Sequence, residues 1–383
     1  MPQDLSRRNL IRWAGAGAFG LAASSPLLSQ QPPEPNIQLP PTPIVPIGRR
    51  STVYLLKGEN RRQNVHDALM GIDHEVRPAL KRKKYVLIKP NLTSFTNQLA
   101  ATHVDAIRGI LDYLAPRFKG PVVIAESAGG NAQRGYDNFK YTTLAKEFPS
   151  LKVSLVDFDE EALFVPLGII TYDVHPQMIR VAKRLFDPDV FVISSCIQKT
   201  HDGVVMTAAV KNMAMGGILR SGKKETTKWT DKQKMHVGAH QMNYNLMLVA
   251  SKMAPHWGAA VVDGYEGMEG QGPTAGTPVP HRIAVASTDF VAADRVATEL
   301  MGIDPKWVGY LQYCEEFGIG NYDIGKIDVR GETIASLKRT YRLNSSTERS
   351  LQWMGPMGPD PALGRGERRP GAPPVPANPN PRS

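Results

Sequence analysis

Cysteine is nearly absent: Cys196 and Cys314 are the only two in 383 residues, and they stand in no C-x-x-C spacing. That excludes a 4Fe–4S cluster motif, a zinc–thiolate site and a disulfide framework, each of which needs more thiols at closer intervals. No G-x-G-x-x-G opens a helix and no Walker sequence occurs, so the common nucleotide-cradling loops are missing too. Aromatics make up 7% of the chain, and no basic stretch carries them interleaved, which argues against nucleic acid as a partner. The formal charge of +10 does not alter this, because each end contributes +2 (residues 1–31 and 356–383) and leaves +6 in the middle. "KRKK" at 81–84 reads as a solvated strand entrance. Long hydrophobic runs are also lacking, and the N-terminal apolar stretch is too short and glycine-rich for a comfortable membrane span.

That stretch has another use. "LSRRNLIRWAGAGAFGLAASSPLL" joins paired arginines to a mild apolar run and then to small residues suited to cleavage, the layout of an export signal. Ser6-Arg7-Arg8-Asn9-Leu10-Ile11 fits the twin-arginine pattern. Residues 1–31 are therefore expected to engage the twin-arginine (Tat) export machinery and be removed. The product would be periplasmic or otherwise extracytoplasmic, with no transmembrane segment. That route carries proteins already folded, often with a cofactor in place. Residues 32–50 are proline-rich and read as a stiff linker. Residues 336–383 end in "GPMGPDPALGRGERRPGAPPVPANPNPRS", expected to form a partly disordered tail. The functional domain is expected over 51–335.

Within it, short aliphatic runs alternate with amphipathic stretches, the pattern of an α/β fold: a mainly parallel or mixed sheet with helices on both faces. Candidate strands are 52–56, 85–90, 121–127, 153–158, 190–195, 259–264 and 282–287, several of them near-continuous aliphatics suited to burial on both faces. Candidate helices are 62–74, 103–116, 137–147, 207–215, 240–253, 289–301 and 306–317, with Asp289 placed to cap the sixth.

In open α/β sheets the ligand crevice lies outside the carboxyl ends of the strands. Polar residues gather in the sequence where those ends fall: Lys89 and Asn91 after "VLI", Glu126 and Ser127 after "VVIA", Lys199, Thr200 and His201 after "VFVISSCIQ", and Asp263, Glu266 and Glu269 after "AVV". Lys89, Lys199 and Lys211 could together neutralise a small anionic ligand, while Lys199 and His201 have the chemistry for acid–base or amine catalysis. The bland alternative is that each lysine extends from the rim into solvent. His236 and His240 are four apart, a spacing compatible with a divalent metal if both sit on one helix, although Gly238 lies between them. Asp263, Glu266 and Glu269 offer oxygen ligands instead. The glycines of "GYEGMEGQGPTAG", Gly270 among them, permit close approach to a ligand or a mobile lid.

Taken in order, "IKPNL", "TH" at 102–103, "VVIAES", "DVFVISSCIQKTH", "AAVKNMAMGG", a later histidine, "VVDGYEGMEGQGPTAGTP" and "DFVAADRVATELMG" resemble the DUF362 family over roughly 85–331. Some relatives carry ferredoxin modules, an implication not transferred to a chain without those cysteines. The resemblance implies site positions at Lys89, Asn91, His103, Lys199, His201, Lys211, Asn212, Asp263, Glu269 and Asp294, with His240 favoured over His236 for the later histidine. Gln198 departs from the family pattern, which carries an aliphatic or lysine there.

The resulting expectation is an exported enzyme acting on a small anion. Lys199, His201 and Lys211 would be catalytic; Lys89, Asn91, His103, Asn212 and Gly270 would bind substrate; and a divalent metal would be held by His201, His240, Asp263 and Glu269. The alternatives are a non-catalytic anion, metal or cofactor carrier, a cofactor-insertion protein, and an accessory subunit of a redox complex.

Overall fold

The computed structural model describes residues 48–171, 173–220 and 231–355; the expected export segment, most of the linker and the tail beyond Gly355 lie outside them. The strands are β1 (Ser51–Lys57), β2 (Tyr85–Lys89), β3 (Val122–Glu126), β4 (Ser154–Asp157), β5 (Phe164–Ile170), β6 (Pro176–Ala182), β7 (Val190–His201), β8 (Val205–Thr207), β9 (Trp257–Glu269), β10 (Thr277–Val279), β11 (Ile283–Ser287) and β12 (Ile327–Gly331). All but β5 and β6 join one ten-stranded sheet in the order β12-β1-β11-β9-β7-β2-β3-β4, with β10 on β9 and β8 on β7. The run from β9 through β7, β2 and β3 to β4 is parallel. Beyond it β11 lies antiparallel to both β9 and β1, so the sheet is mixed on one wing.

Helices cover both faces, as the aliphatic strands require, and the sheet between them divides the core in two. Leu87, Val192, Val262 and Val285 pack on one side with Met213, Met247 and Val296. Val86, Ile88, Ile124 and Val261 pack on the other with Val65, Ile107 and Ile110. Asp289 caps the helix Phe290–Leu300, accepting from the N–H groups of Val291 and Ala292. Among the described residues no helix is long and apolar enough to cross a membrane.

Three differences from the sequence reading have physical causes. The β5–β6 ribbon pairs only with itself, and the prolines and glycine in "FVPLGII" and "PQMIRVA" hide its strand pattern. The expected helix over 137–147 is broken: Ala132–Asn138 ends before Lys140, which takes a left-handed φ of 63°. Most consequential, β7 does not stop at 195. It runs to His201 because Lys199, Thr200 and His201 pair with Thr207, Met206 and Val205 of β8 in a tight hairpin. Lys199 and His201 therefore project from a buried strand, not from a loop beyond it.

The chain also continues to pack past residue 335. Tyr341, Asn344, Thr347 and Leu351 are buried, and the Asn344 side chain donates to the Gly272 carbonyl at 2.7 Å.

Candidate anion-binding cleft

Four strand ends and two helices build the site. β2 delivers Lys89 and leads into Asn91 and Thr93; β3 delivers Glu126 and leads into Ser127; β7 and β8 deliver Lys199, His201 and Thr207. The helix Ala209–Gly216 adds Lys211, Asn212 and Gly216, and the short helix Asp231–Lys234 adds Lys232. Between them lies a cleft of about 170 Å³. Its walls include Asn91, Glu126, His201, Lys211, Asn212 and Lys232, with His236 also lining it. Lys89, Lys199 and Lys211 are 0%, 1% and 8% exposed, which rules out side chains extended into solvent.

The lysines divide by what they touch. Lys89 Nζ donates to Glu126 Oε2 at 2.7 Å, the Pro90 carbonyl at 2.8 Å and Asn212 Oδ1 at 3.0 Å. Three acceptors match the three N–H bonds of an ammonium, so Lys89 is charged and Glu126 is its carboxylate partner. Burial pulls the Lys89 pKa down and pushes that of Glu126 up, each opposed by the other's charge. Lys199 Nζ likewise has three acceptors: Asn91 Oδ1 at 2.8 Å, Thr93 Oγ1 at 3.1 Å and the Ala100 carbonyl at 3.3 Å. Burial first, and then the Lys211 charge, lowers its pKa to about 7. Neither Lys89 nor Lys199 lines the cleft; they fix Asn91, Glu126 and Asn212, which do.

Asn212 is saturated. Its Oδ1 accepts from Lys89 and from Asn91 Nδ2, and its Nδ2 donates to the Lys89 carbonyl and Ser194 Oγ. Lys211 differs: it lines the cleft, and its Nζ has no hydrogen-bond or ion-pair partner among the described residues. Burial lowers its pKa to about 8, with Asp202 opposing and Lys232 reinforcing the shift. Lys232, whose Nζ donates to the Ser127 carbonyl, is lowered to about 8 by burial as well. His201 Nδ1 accepts from the Gly203 N–H at 2.9 Å, which assigns the ring proton to Nε2. Asp202 Oδ1 is 3.1 Å from the same nitrogen, but Asp202 is half exposed and solvated, so the backbone donor governs the tautomer. Burial holds the His201 pKa well below its ordinary value, and the ring is neutral near pH 7.

Asp294 lies outside the cleft and holds it in shape. Its two oxygens accept from the Ala209 and Val210 N–H groups at 2.7 and 2.9 Å, capping the helix that carries Lys211 and Asn212. Asp294→Ala should strand two buried N–H groups and destabilise the protein by about 2–4 kcal/mol. Chemical denaturation reads this directly, and a loss below about 0.5 kcal/mol would show that the cap is dispensable.

The remaining expected site residues are placed elsewhere. Asp263 pairs with Arg61 at 3.1 Å and accepts from the Tyr265 N–H. His103 caps the helix Val104–Leu114 through Nδ1, its pKa lowered to about 4 by burial and then by the Arg61 charge. Glu269 accepts from the Arg342 N–H at 2.9 Å, and Gly270, at φ 74°, donates its N–H to the Arg342 carbonyl; both anchor the C-terminal segment. His240 Nε2 lies 2.7 Å from the Gly355 carbonyl, whereas His236 lines the cleft. His201, His240, Asp263 and Glu269 thus do not converge, and among the described residues no three His, Cys, Asp or Glu side chains gather as a metal site. The donor set does not fit the divalent metal expected from the sequence. In the glycine-rich segment a Cβ at Gly272 would sit 2.1 Å from the Thr200 carbonyl, so that glycine admits the chain's own β7, while the next residue, Pro273, lines the cleft. Gln198 is also accounted for, donating to the Ala297 carbonyl and accepting from the Tyr341 hydroxyl.

Lys232 was not singled out by the sequence pattern, because "TDKQKMH" has the composition of a solvated surface stretch, and of the two histidines weighed for the site it is His236, not the favoured His240, that lines the cleft.

Together these features define a class: a mixed α/β protein with a cation-lined cleft at the carboxyl ends of β2, β3 and β7. Residues 86–299 match the family described as Domain of unknown function (DUF362), and the chain belongs to that family. It is similar to a thylakoid-associated protein of Synechocystis sp., 25% identical over 255 residues that cover 66% of this chain and 73% of that one. A crystal structure of a protein from Thermotoga maritima aligns with a TM-score of 0.39 and 11% identity, covering 69% of this chain and 59% of that one.

Proposed function

We propose that this protein captures a small anion in the cleft and acts on it. Lys211 is the principal anion-binding cation, Lys232 the second, and His201 a neutral donor able to exchange a proton with the ligand. The observation that carries this reading is Lys211, a buried lysine in the cleft wall whose ammonium has no hydrogen-bond or ion-pair partner among the described residues, Asp202 acting on it only from a distance. Such burial is costly, and a bound anion offsets it. The cleft volume of 170 Å³ bounds the ligand. A cavity of about 150 Å³ accommodates benzene, so the anion has on the order of ten non-hydrogen atoms or fewer. Export by the twin-arginine route, expected from Ser6-Arg7-Arg8, belongs to the same proposal.

The test is calorimetric titration of the purified protein with inorganic phosphate and with glycolate. Saturable binding that Lys211→Ala removes is the expected result; no binding of either anion defeats the proposal.

One observation favours a carrier that holds the anion without turnover. Lys199, the residue best suited by type to amine chemistry, lies behind the cleft wall and spends its ammonium on Asn91, Thr93 and Ala100. Native mass spectrometry of host-derived protein separates the two: a stoichiometric small molecule that is never converted marks a carrier.

The pH dependence follows from Lys211 and Lys232. Their folded pKa values, about 8, lie below the ordinary lysine value, so both are charged at pH 7 and lose charge as the pH rises through 8. The charge of glycolate is constant over this range. Its affinity should be level from pH 6.5 to 7.5 and fall by roughly tenfold or more by pH 9.5. A level profile to pH 9.5 contradicts the assignment of these lysines.

A further inference from the structure

The cleft presents an acceptor as well as cations. Glu126 is 2% exposed and lines the cleft, and its two oxygens are used unequally. Oε2 accepts from Lys89 Nζ and from the Leu92 N–H, whereas Oε1 is buried without a hydrogen-bond partner among the described residues. The saturated ammonium of Lys89 identifies Glu126 as a carboxylate, which can only accept. Gly216, also in the cleft wall, keeps the approach open: a Cβ there would fall 2.9 Å from Oε1 and 2.0 Å from Lys89 Nζ.

We infer that the ligand of this cleft carries an O–H or N–H donor beside its negative charge, and that Glu126 Oε1 selects for that donor. This rests on the anion-binding reading above and narrows the substrate class. A bare oxyanion would set its lone pairs against a buried carboxylate. Hydrogen phosphate, or a hydroxy- or amino-carboxylate, would instead donate to Oε1 while its charged end meets Lys211 and Lys232. Sites built to hydrogen-bond a ligand hydroxyl reject analogues that lack it, because a buried polar group is then left unpaired.

The experiment compares matched anions on the full chain by calorimetry at pH 7.2 and constant ionic strength: phosphate against sulfate, and glycolate against acetate. The donor-bearing member of each binding pair should be tighter by roughly ten- to a hundredfold. Glu126→Gln, with its carbonyl kept toward Lys89, presents an amide donor to the cleft and should shift the preference toward sulfate and acetate. Where that variant fails to fold, the wild-type ratios decide alone. Equal affinities within each pair, still lost in Lys211→Ala, would overturn the donor requirement while leaving the anion cleft standing. Tighter binding of sulfate or acetate would overturn it as well. Absence of binding by all four anions would remove both readings.

Discussion

Lys89→Met should lower the stability of this protein by about 3–5 kcal/mol, the range for breaking a buried ion pair from one side. Both charges are buried, and the bond between them is 2.7 Å long. Methionine fills the space of the lysine stem but leaves the Glu126 carboxylate without its counter-charge and the Pro90 carbonyl without the Lys89 donor, while Asn212 Oδ1 keeps only Asn91 Nδ2. The deficit should also depend on pH. Burial already pushes the Glu126 pKa above its ordinary value, and Lys89 is the main group pulling it back. In the variant the folded state holds a proton on Glu126 to higher pH than the unfolded chain does, so stability is lost as the pH rises. Denaturant titrations at pH 5 and pH 8 should therefore show the smaller deficit at pH 5. A pH-independent loss below about 1 kcal/mol would mean that the pair is solvated and unimportant.

Lys211→Ala should behave in the opposite way. Lys211 is buried like Lys89, but its ammonium has no hydrogen-bond or ion-pair partner among the described residues, so removing it takes away a desolvation cost and strands none of them. Thermal stability should be unchanged or raised, while affinity for phosphate falls by about ten- to a hundredfold, the worth of one charge-assisted hydrogen bond in a buried site. Two measurements on one variant, a melting curve and a calorimetric titration, separate a ligand-binding role from a structural one. A drop of several degrees in Tm with phosphate affinity intact would assign Lys211 to the scaffold.

The contrast between these lysines marks the limit of what the sequence made legible. Aliphatic runs between turn residues placed β1, β2, β3, β4, β7, β9 and β11, and the rule that ligands meet the carboxyl ends of parallel strands pointed to Lys89, Asn91, Glu126 and His201. Residue type could not say which lysine was spent. Lys199 is saturated by Asn91, Thr93 and Ala100, which lie about a hundred positions away on the chain, and nothing local to "IQKTH" announces them. Asp263 occupies a strand end as expected, yet Arg61 reaches it first from a helix packed over the sheet. Glu269 is taken by Arg342 from a segment whose composition suggested a tail. His236 and His240 were separated only by the helix start at Ala239, which leaves His236 before the first turn and directs His240 to Gly355. Asp294 shows the converse: its family position is legible, but its role as a cap for a helix some eighty residues earlier is visible only in three dimensions.

The most direct test of the account is the location of a bound anion. Arsenate resembles phosphate in shape and protonation and scatters anomalously, so crystals grown with it would reveal the site without assuming any activity. The account predicts one strong anomalous peak in the cleft, within hydrogen-bond reach of Lys211 Nζ and close to Glu126. Peaks confined to surface arginines and lysines, with none in the cleft, would contradict it.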